Sequence, residues 1–396
     1  MLSRPFIVLY VAVFVATFGI SLVSPLLPVY AENLGATGVW IGFTFASFAI
    51  THSISGPLIG RLSDRYPRKP FIILGLLCYL AAALGYLTAD SFAQIIAFRM
   101  LSGVGTGLIF SVARAYIGEM VPSGYEGRWF GVFATADIIG FGSGPMFAGL
   151  IRGWLGFDAV FISMALIMGA STLIITILLP PRPPQALNTN QKALFQTNAS
   201  IWNALKDRLT VALTFRHVLF SFSWGSTLAF LAVRLENELL IGPVVIGLAF
   251  GVENFASGIS QPMLGWLTDH MNRVILVAVG LVFAGGCVIA VGTVDSLPLV
   301  FVFMILLGAS GAMTQVAASA LEIVAGRRVG LGTVIGLGSS GGGVGILCGA
   351  VLGGYLVDLF DTSAAFLFAG AVMILGTPLF LLLVKGQSTK SEPGVI

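Results

Sequence analysis

Glu253, Asp137 and Arg99 fall well inside long apolar runs, where an ionisable side chain costs several kcal/mol unless it is paired, protonated or hydrated. The chemistry such groups offer is reversible proton binding: a carboxylate that takes up a proton on one side of an apolar barrier and releases it on the other couples a proton gradient to a second event. Glu253 lies about ten residues into its run, near the middle of a helix of about 20 residues, and is the first choice for the proton carrier. Asp137 leaves two readings open, a second carrier or a structural partner of Arg114. Arg99 sits too deep to reach water along its own stem and is expected to face a cavity. Asn254, beside Glu253, and Gln315 are the amides that could line such a cavity. Phe18, Phe45, Phe48, Phe141 and Trp224 join them by depth alone. His52 reads as a hydrogen-bonded packing residue, and Arg216 and His217 sit within a few turns of the end of their run.

The elements that must position these residues follow from composition. Of 396 residues 57% are hydrophobic and 9% charged, against about 25% charged in soluble domains, so the chain is an integral membrane protein. Apolar runs long enough to cross a bilayer begin near Phe6, Val39, Phe71, Phe92, Trp129 and Ala159, and again near Val211, Val244, Val274, Leu297, Val329 and Ala364. That makes twelve spans in two sets of six. A shift of 205 residues superposes Gly60 on Gly265, Leu62 on Leu267, Asp64 on Asp269 and Arg68 on Arg273, the mark of a duplicated half. The expected fold is all-α, two pseudo-symmetric six-helix bundles at 1–180 and 209–385. A cytoplasmic linker, 181–208, carries an amphipathic helix around Ile201–Leu205, and a tail follows at 386–396.

Charge orients the spans. Arg4, the Arg61 to Lys69 cluster, Arg128, Lys206 with Arg208, Arg273, Arg327 with Arg328, and Lys385 occupy alternate connections. Glu32, Asp90, Asp158, Glu236, Glu238, Asp295, Asp358 and Asp361 occupy the others. By the positive-inside rule both termini are cytoplasmic, in the inner (plasma) membrane of the cell. The small net charge of +3 therefore speaks of membrane orientation and gives nucleic-acid binding no support. Cys78, Cys287 and Cys348 lie in apolar runs and form neither a disulfide framework nor a metal site. No phosphate-cradling Gly-x-x-x-x-Gly-Lys-Ser/Thr stretch and no nucleophile elbow occurs, so neither ATP-driven transport nor an enzyme is expected, and no cofactor.

The polar connection Gly60-Arg61-Leu62-Ser63-Asp64-Arg65-Tyr66-Pro67-Arg68-Lys69 resembles the loop motif of the major facilitator superfamily, Gly-x-Leu-x-Asp-Arg-x-Gly-Arg-Lys, with Pro67 in place of its second glycine. Three further stretches are similar to patterns of its twelve-span drug/proton antiporters. They are Gly19 with Pro25 and Pro28; Arg99 followed by Gly103 and Gly105; and Gly140-Phe141-Gly142-Ser143-Gly144-Pro145-Met146-Phe147-Ala148-Gly149. The resemblance implies a latch between halves made by Gly60, Asp64, Arg65, Arg68 and the copy's Asp269, with Arg114 and Glu119 as charge partners. It implies an antiporter stripe of Gly140, Gly144, Pro145, Ala148 and Gly149; glycines and alanine every four residues leave one helix face smooth, and the proline bends it. Expected partners are a small-molecule substrate, protons and the lipid bilayer, with a monomer as default. The expected function is proton-coupled efflux of small amphipathic or hydrophobic compounds by alternating access. The alternatives are a symporter or facilitator for a polar metabolite such as a sugar, and a sensor-like member that moves nothing. A fluorescent protein fused after Ile396 is expected to fluoresce and a phosphatase fused there to stay inactive; the opposite pair of results would reverse the orientation.

Overall fold

The computed structural model describes residues 4–63, 65–120, 126–180 and 201–385, all of its regular structure being helical. The 181–200 part of the linker, the 386–396 tail and Asp64 lie outside these residues. α1 (Arg4–Val23) turns at 24–26 into α2 (Leu27–Asn33), because Pro25 and Pro28 lack the N–H that would carry one helix through, and Pro28 instead sits in the first turn of the next. α3 is Gly38–Ser63 and α4 Arg68–Leu87. α5 (Phe92–Thr106) widens into a π turn at Gly107–Ser111 and continues as α6 (Val112–Met120). α7 runs Glu126–Leu178. The short α8 (Ile201–Lys206) stands where the sequence places an amphipathic helix. Then come α9 (Arg208–Val233), α10 (Pro243–His270), α11 (Arg273–Thr293), α12 (Leu297–Val329), α13 (Leu331–Leu359) and α14 (Thr362–Lys385).

Ten stretches of the described residues are long and apolar enough to cross a membrane. One of them lies in α7, whose 53 residues would reach about 80 Å as a straight helix, more than twice a hydrocarbon core of about 30 Å. Gly156, at φ 83° and ψ −176°, breaks it into spans five and six with no loop between. α3 is not among the ten, since Thr51, His52, Ser53 and Ser55 lower its hydropathy. Its 26 residues nevertheless give about 39 Å, enough to cross. The described helices thus supply twelve crossings.

The duplication extends from sequence to contacts. Gly75 of α4 meets the Gly105 carbonyl and Ile109, and 205 residues later Gly280 of α11 meets the Ser310 carbonyl and Thr314. Gly103 of α5 lies against the Phe48 carbonyl and the His52 N–H; Gly308 of α12 lies against the Glu253 carbonyl and the Ser257 N–H. Gly140 packs on Phe14 and Phe18 of α1, and Gly345 on Val218 and Phe222 of α9. In the last pair α9 is offset from α1 by 204 residues, one fewer than the other helices. In each copy, glycine at a crossing lets two backbones approach without a lipid-filled gap.

The compact units do not follow the copies. One is Met1–Thr189 with Ala232–Gly251, and the other Asn190–Leu231 with Val252–Ile396. The segment 232–251 joins the first because α7 offers it a small-residue face: Gly149 meets Pro243 and Val244, Gly247 meets the Pro145 carbonyl, and Gly251 meets Met146 and the Gly142 carbonyl. A Cβ at Gly308 would strike the Glu253 carbonyl, whereas one at Gly286 would meet nothing within 4 Å. Gly308→Ala is therefore expected to cost about 1–3 kcal/mol, read as a lower thermal transition in detergent, with Gly286→Ala unchanged or slightly higher.

Candidate functional site

Three helices of the second unit turn polar faces toward one cavity of about 190 Å³. α9 contributes Phe220, Ser223, Trp224 and Thr227, α10 contributes Glu253, Asn254, Ser257 and Gln261, and α12 contributes Leu307, Gly308, Gly311 and Gln315. The spacings of three, four and seven residues keep each set on one side of its helix. Glu253 lies about 15 Å along α10 from its start, counted at 1.5 Å per residue. Its backbone is pressed against Gly308, which fixes its height. The carboxylate has no hydrogen bond or ion pair to any described residue. Asn254, Gln315 and Trp224, chosen from sequence by type and depth, do line this cavity.

Behind the cavity wall is a polar chain. Arg216 has none of its surface exposed. Its Nη1 donates to Gln315 Oε1 at 3.0 Å and approaches His217 Nδ1 at 3.4 Å, while the guanidinium carbon sits 5.2 Å from the Phe220 ring centre. His217 Nε2 is 2.8 Å from Glu322 Oε1. A neutral imidazole with its proton on Nε2 satisfies both contacts, accepting from Arg216 and donating to Glu322. Nε and Nη2 of Arg216 have no hydrogen-bond partner among the described residues.

In the first unit Arg99 is 4% exposed; its Nε donates to the Thr44 carbonyl at 3.3 Å, and its guanidinium lies 5.0 Å and 4.7 Å from the ring centres of Phe45 and Phe48. Phe45 and Phe48, expected along a substrate cavity, instead clamp this cation, whose charge is drawn to the negative faces of the rings. Phe18 packs edge-on against Phe147 at 5.4 Å, and Phe141 is half-buried in α7. Asp137, also half-buried, accepts from Thr17 Oγ1 at 3.1 Å, and the exposed Arg114 is near enough to act on it electrostatically, so both readings of Asp137 stay open. The glycine stripe divides. Gly140 and Gly144 face α1, and the turn of α7 bearing Pro145 and Gly149 faces 243–251, with Ala148 buried beside it. The stripe of every fourth residue is thus an intra-bundle seam, and its neighbouring face makes the contact with the later part of the chain.

Of the expected latch, Asp64 and the side chain of Glu119 lie outside the described residues. Gly60 is half-buried and Arg65 and Asp269 are exposed, while Arg68 folds back so that Nη1 donates to Ser63 Oγ at 2.9 Å. Sequence reasoning missed Glu322, though it is a carboxylate in the same apolar half as the otherwise unanswered Arg216 and His217. It also missed Arg152, a basic residue beside an otherwise acidic connection. Arg152 grips Glu236 through both guanidinium nitrogens and stacks 4.3 Å over Phe157. Beside this pair, Asn237 Nδ2 donates to both Glu32 oxygens at 2.8 and 3.0 Å.

The family model described as Major Facilitator Superfamily matches residues 9–233 and 213–395, one match per copy with an overlap. An uncharacterized MFS-type transporter of Methanocaldococcus jannaschii is 24% identical over 380 residues, covering 94% of this chain and 96% of that protein. Multidrug resistance protein 2 of Bacillus subtilis is 27% identical over 380 residues, covering 94% and 93%. Among solved structures, a bacterial homolog to the human lysosomal transporter Spinster, in an inward-facing and occupied conformation, aligns with a TM-score of 0.77 at 12% identity over 98% of each chain. With matches that together span nearly its whole length, two copies of one helical unit, and a cavity set among its spans, the chain belongs to the Major Facilitator Superfamily of membrane transporters.

Proposed function

We propose that this transporter exports small amphipathic or hydrophobic compounds in exchange for protons, by alternating access, as a monomer in the plasma membrane with both termini cytoplasmic. The observation that carries the reading is Glu253, a carboxylate with no hydrogen-bond partner among the described residues, standing in a cavity whose other walls are aromatic and aliphatic side chains, hydroxyls and neutral amides. A carboxylate there can take up and release a proton, and antiport requires that the protonated and the substrate-loaded states alternate. Phe220 and Trp224 supply flat apolar contact, and Asn254, Gln261 and Gln315 supply hydrogen bonds that orient without demanding one shape. The name of the Bacillus subtilis relative agrees with this cargo class, and the alternation of basic connections supports the orientation. Asp137 and Arg99 serve as further proton-path groups on the first unit.

Release to the outside needs an exit that opens. The Arg152–Glu236 pair and the Asn237–Glu32 contact hold 232–251 on α7 and α2, and their rupture is the opening step in this scheme. The polar connection at 60–69 and its copy act as the latch on the opposite side.

In proteoliposomes with an imposed proton gradient, Glu253→Gln is expected to reduce the substrate accumulation ratio to about one while substrate still binds; gradient-driven accumulation by the variant would remove Glu253 from the coupling. Val244, which touches Gly153, reports the outer closure. A cysteine there should be labelled by an impermeant thiol reagent about tenfold faster in Arg152→Glu, equivalent to about 1.4 kcal/mol. The rate should return toward the parent value when Glu236→Arg is added.

A further inference from the structure

We propose that Arg216 is the anchor for an anionic group on the transported compound, so that the cavity selects amphipathic organic carboxylates; this rests on the transport reading above and names its substrate class.

A guanidinium offers five N–H donors in a planar fork. In Arg216 the Nε and Nη2 donors are buried without a hydrogen-bond partner among the described residues, a condition that proteins almost always avoid. Among the described residues no carboxylate touches the cation directly; Glu322 is held by His217, which stands between them. Besides His217, the guanidinium meets the Gln315 amide oxygen and the Phe220 ring, and these last two residues line the cavity. The cation is therefore one side chain behind the cavity surface, covered by an amide oxygen that is the neutral counterpart of a carboxylate oxygen. A rotation of Gln315 about its side-chain bonds would open the fork, and a ligand carboxylate would then accept two parallel N–H bonds, the arrangement in which Arg is strongest. The apolar body of such a ligand fits against Phe220, Trp224 and Leu307.

The first copy of the repeat shows that the fold does not require this cluster. At the 204-residue offset of α9, Arg216 and His217 fall on Ala12 and Val13 of α1, and by the 205-residue shift Gln315 and Glu322 fall on Phe110 and Ile117. Ala12, Val13 and Ile117 are buried and apolar, and the same helix crossings form around them. A buried cation that one copy dispenses with is retained in the other beside the cavity, and ligand recognition accounts for it where packing does not.

The test is calorimetric titration of the full-length protein in nanodiscs with 2-naphthoate and with its uncharged methyl ester. The parent protein is expected to bind the carboxylate at least about tenfold tighter than the ester. Arg216→Gln should abolish that preference while leaving ester affinity in place. A parent protein without the preference, or an Arg216→Gln variant that keeps it, overturns the proposal. If Arg216→Gln does not fold, Gln315→Leu decides. Removing the amide that occupies the fork should tighten 2-naphthoate binding several-fold, a gain that misfolding cannot imitate, and unchanged or weaker binding overturns the proposal. The transport reading fails separately. A protein that exports a cationic dye yet ignores the carboxylate loses only this inference, and one that prefers the carboxylate yet moves nothing across vesicles loses only the transport.

Discussion

Hydrocarbon cannot hydrogen-bond, and every charged group that these helices carry below the membrane surface must be answered by the protein itself. The described residues show three answers and one exception. Arg99 is met by a backbone carbonyl and two aromatic faces. Arg152 is met by a carboxylate in a fork-to-fork pair, where the side chains are 10% and 26% exposed. His217 and Glu322 satisfy each other. Glu253 and two nitrogens of Arg216 are left to whatever enters the cavity. The order runs from fully answered to unanswered, and Glu253 and Arg216 stand at one cavity.

Duplication makes that gathering interpretable. The glycines at the crossings keep their positions in both copies, since each admits a neighbouring backbone that no side chain would allow. Between these fixed points the copies diverge in chemistry. Phe48, at the crossing with Gly103, corresponds to Glu253 at the crossing with Gly308; Phe48 covers Arg99, while its counterpart faces open space. One copy has spent the position on shielding a cation and the other on exposing an acid. The architecture is common property and the chemistry is local.

Much of this was legible in the sequence. Hydropathy gave the spans, because a bilayer of fixed thickness imposes a fixed helix length. The repeated polar loop gave the duplication. Glu253 stood out because carboxylates are rare in apolar runs. What was hidden depended on the direction of side chains around their helices and on pairs distant in the chain. Phe45 and Phe48 had the right depth for a cavity but turn toward Arg99. The Arg216–Gln315 bond spans 99 residues and the His217–Glu322 pair 105, so neither helix announces its partner. The stripe at Gly140, Gly144 and Ala148 was visible as a smooth face, but which neighbour it meets follows only from the packing of α1 on α7. The joining of spans five and six without a loop was equally hidden, because Gly156 is one glycine among 50.

That joint has a mechanical corollary. At φ 83° and ψ −176° the backbone occupies a region that is essentially reserved for glycine, so the elbow cannot be traded for another residue type without strain. The limb before it carries the seam with α1 and the grip on 232–251, and the limb after it continues to Leu178, past the Thr176 carbonyl that receives Lys69 at 2.7 Å. The grip on 232–251 is thereby tied through one continuous element, bent once at Gly156, to the start of α4 and the polar loop beside it, with no loop between the two limbs.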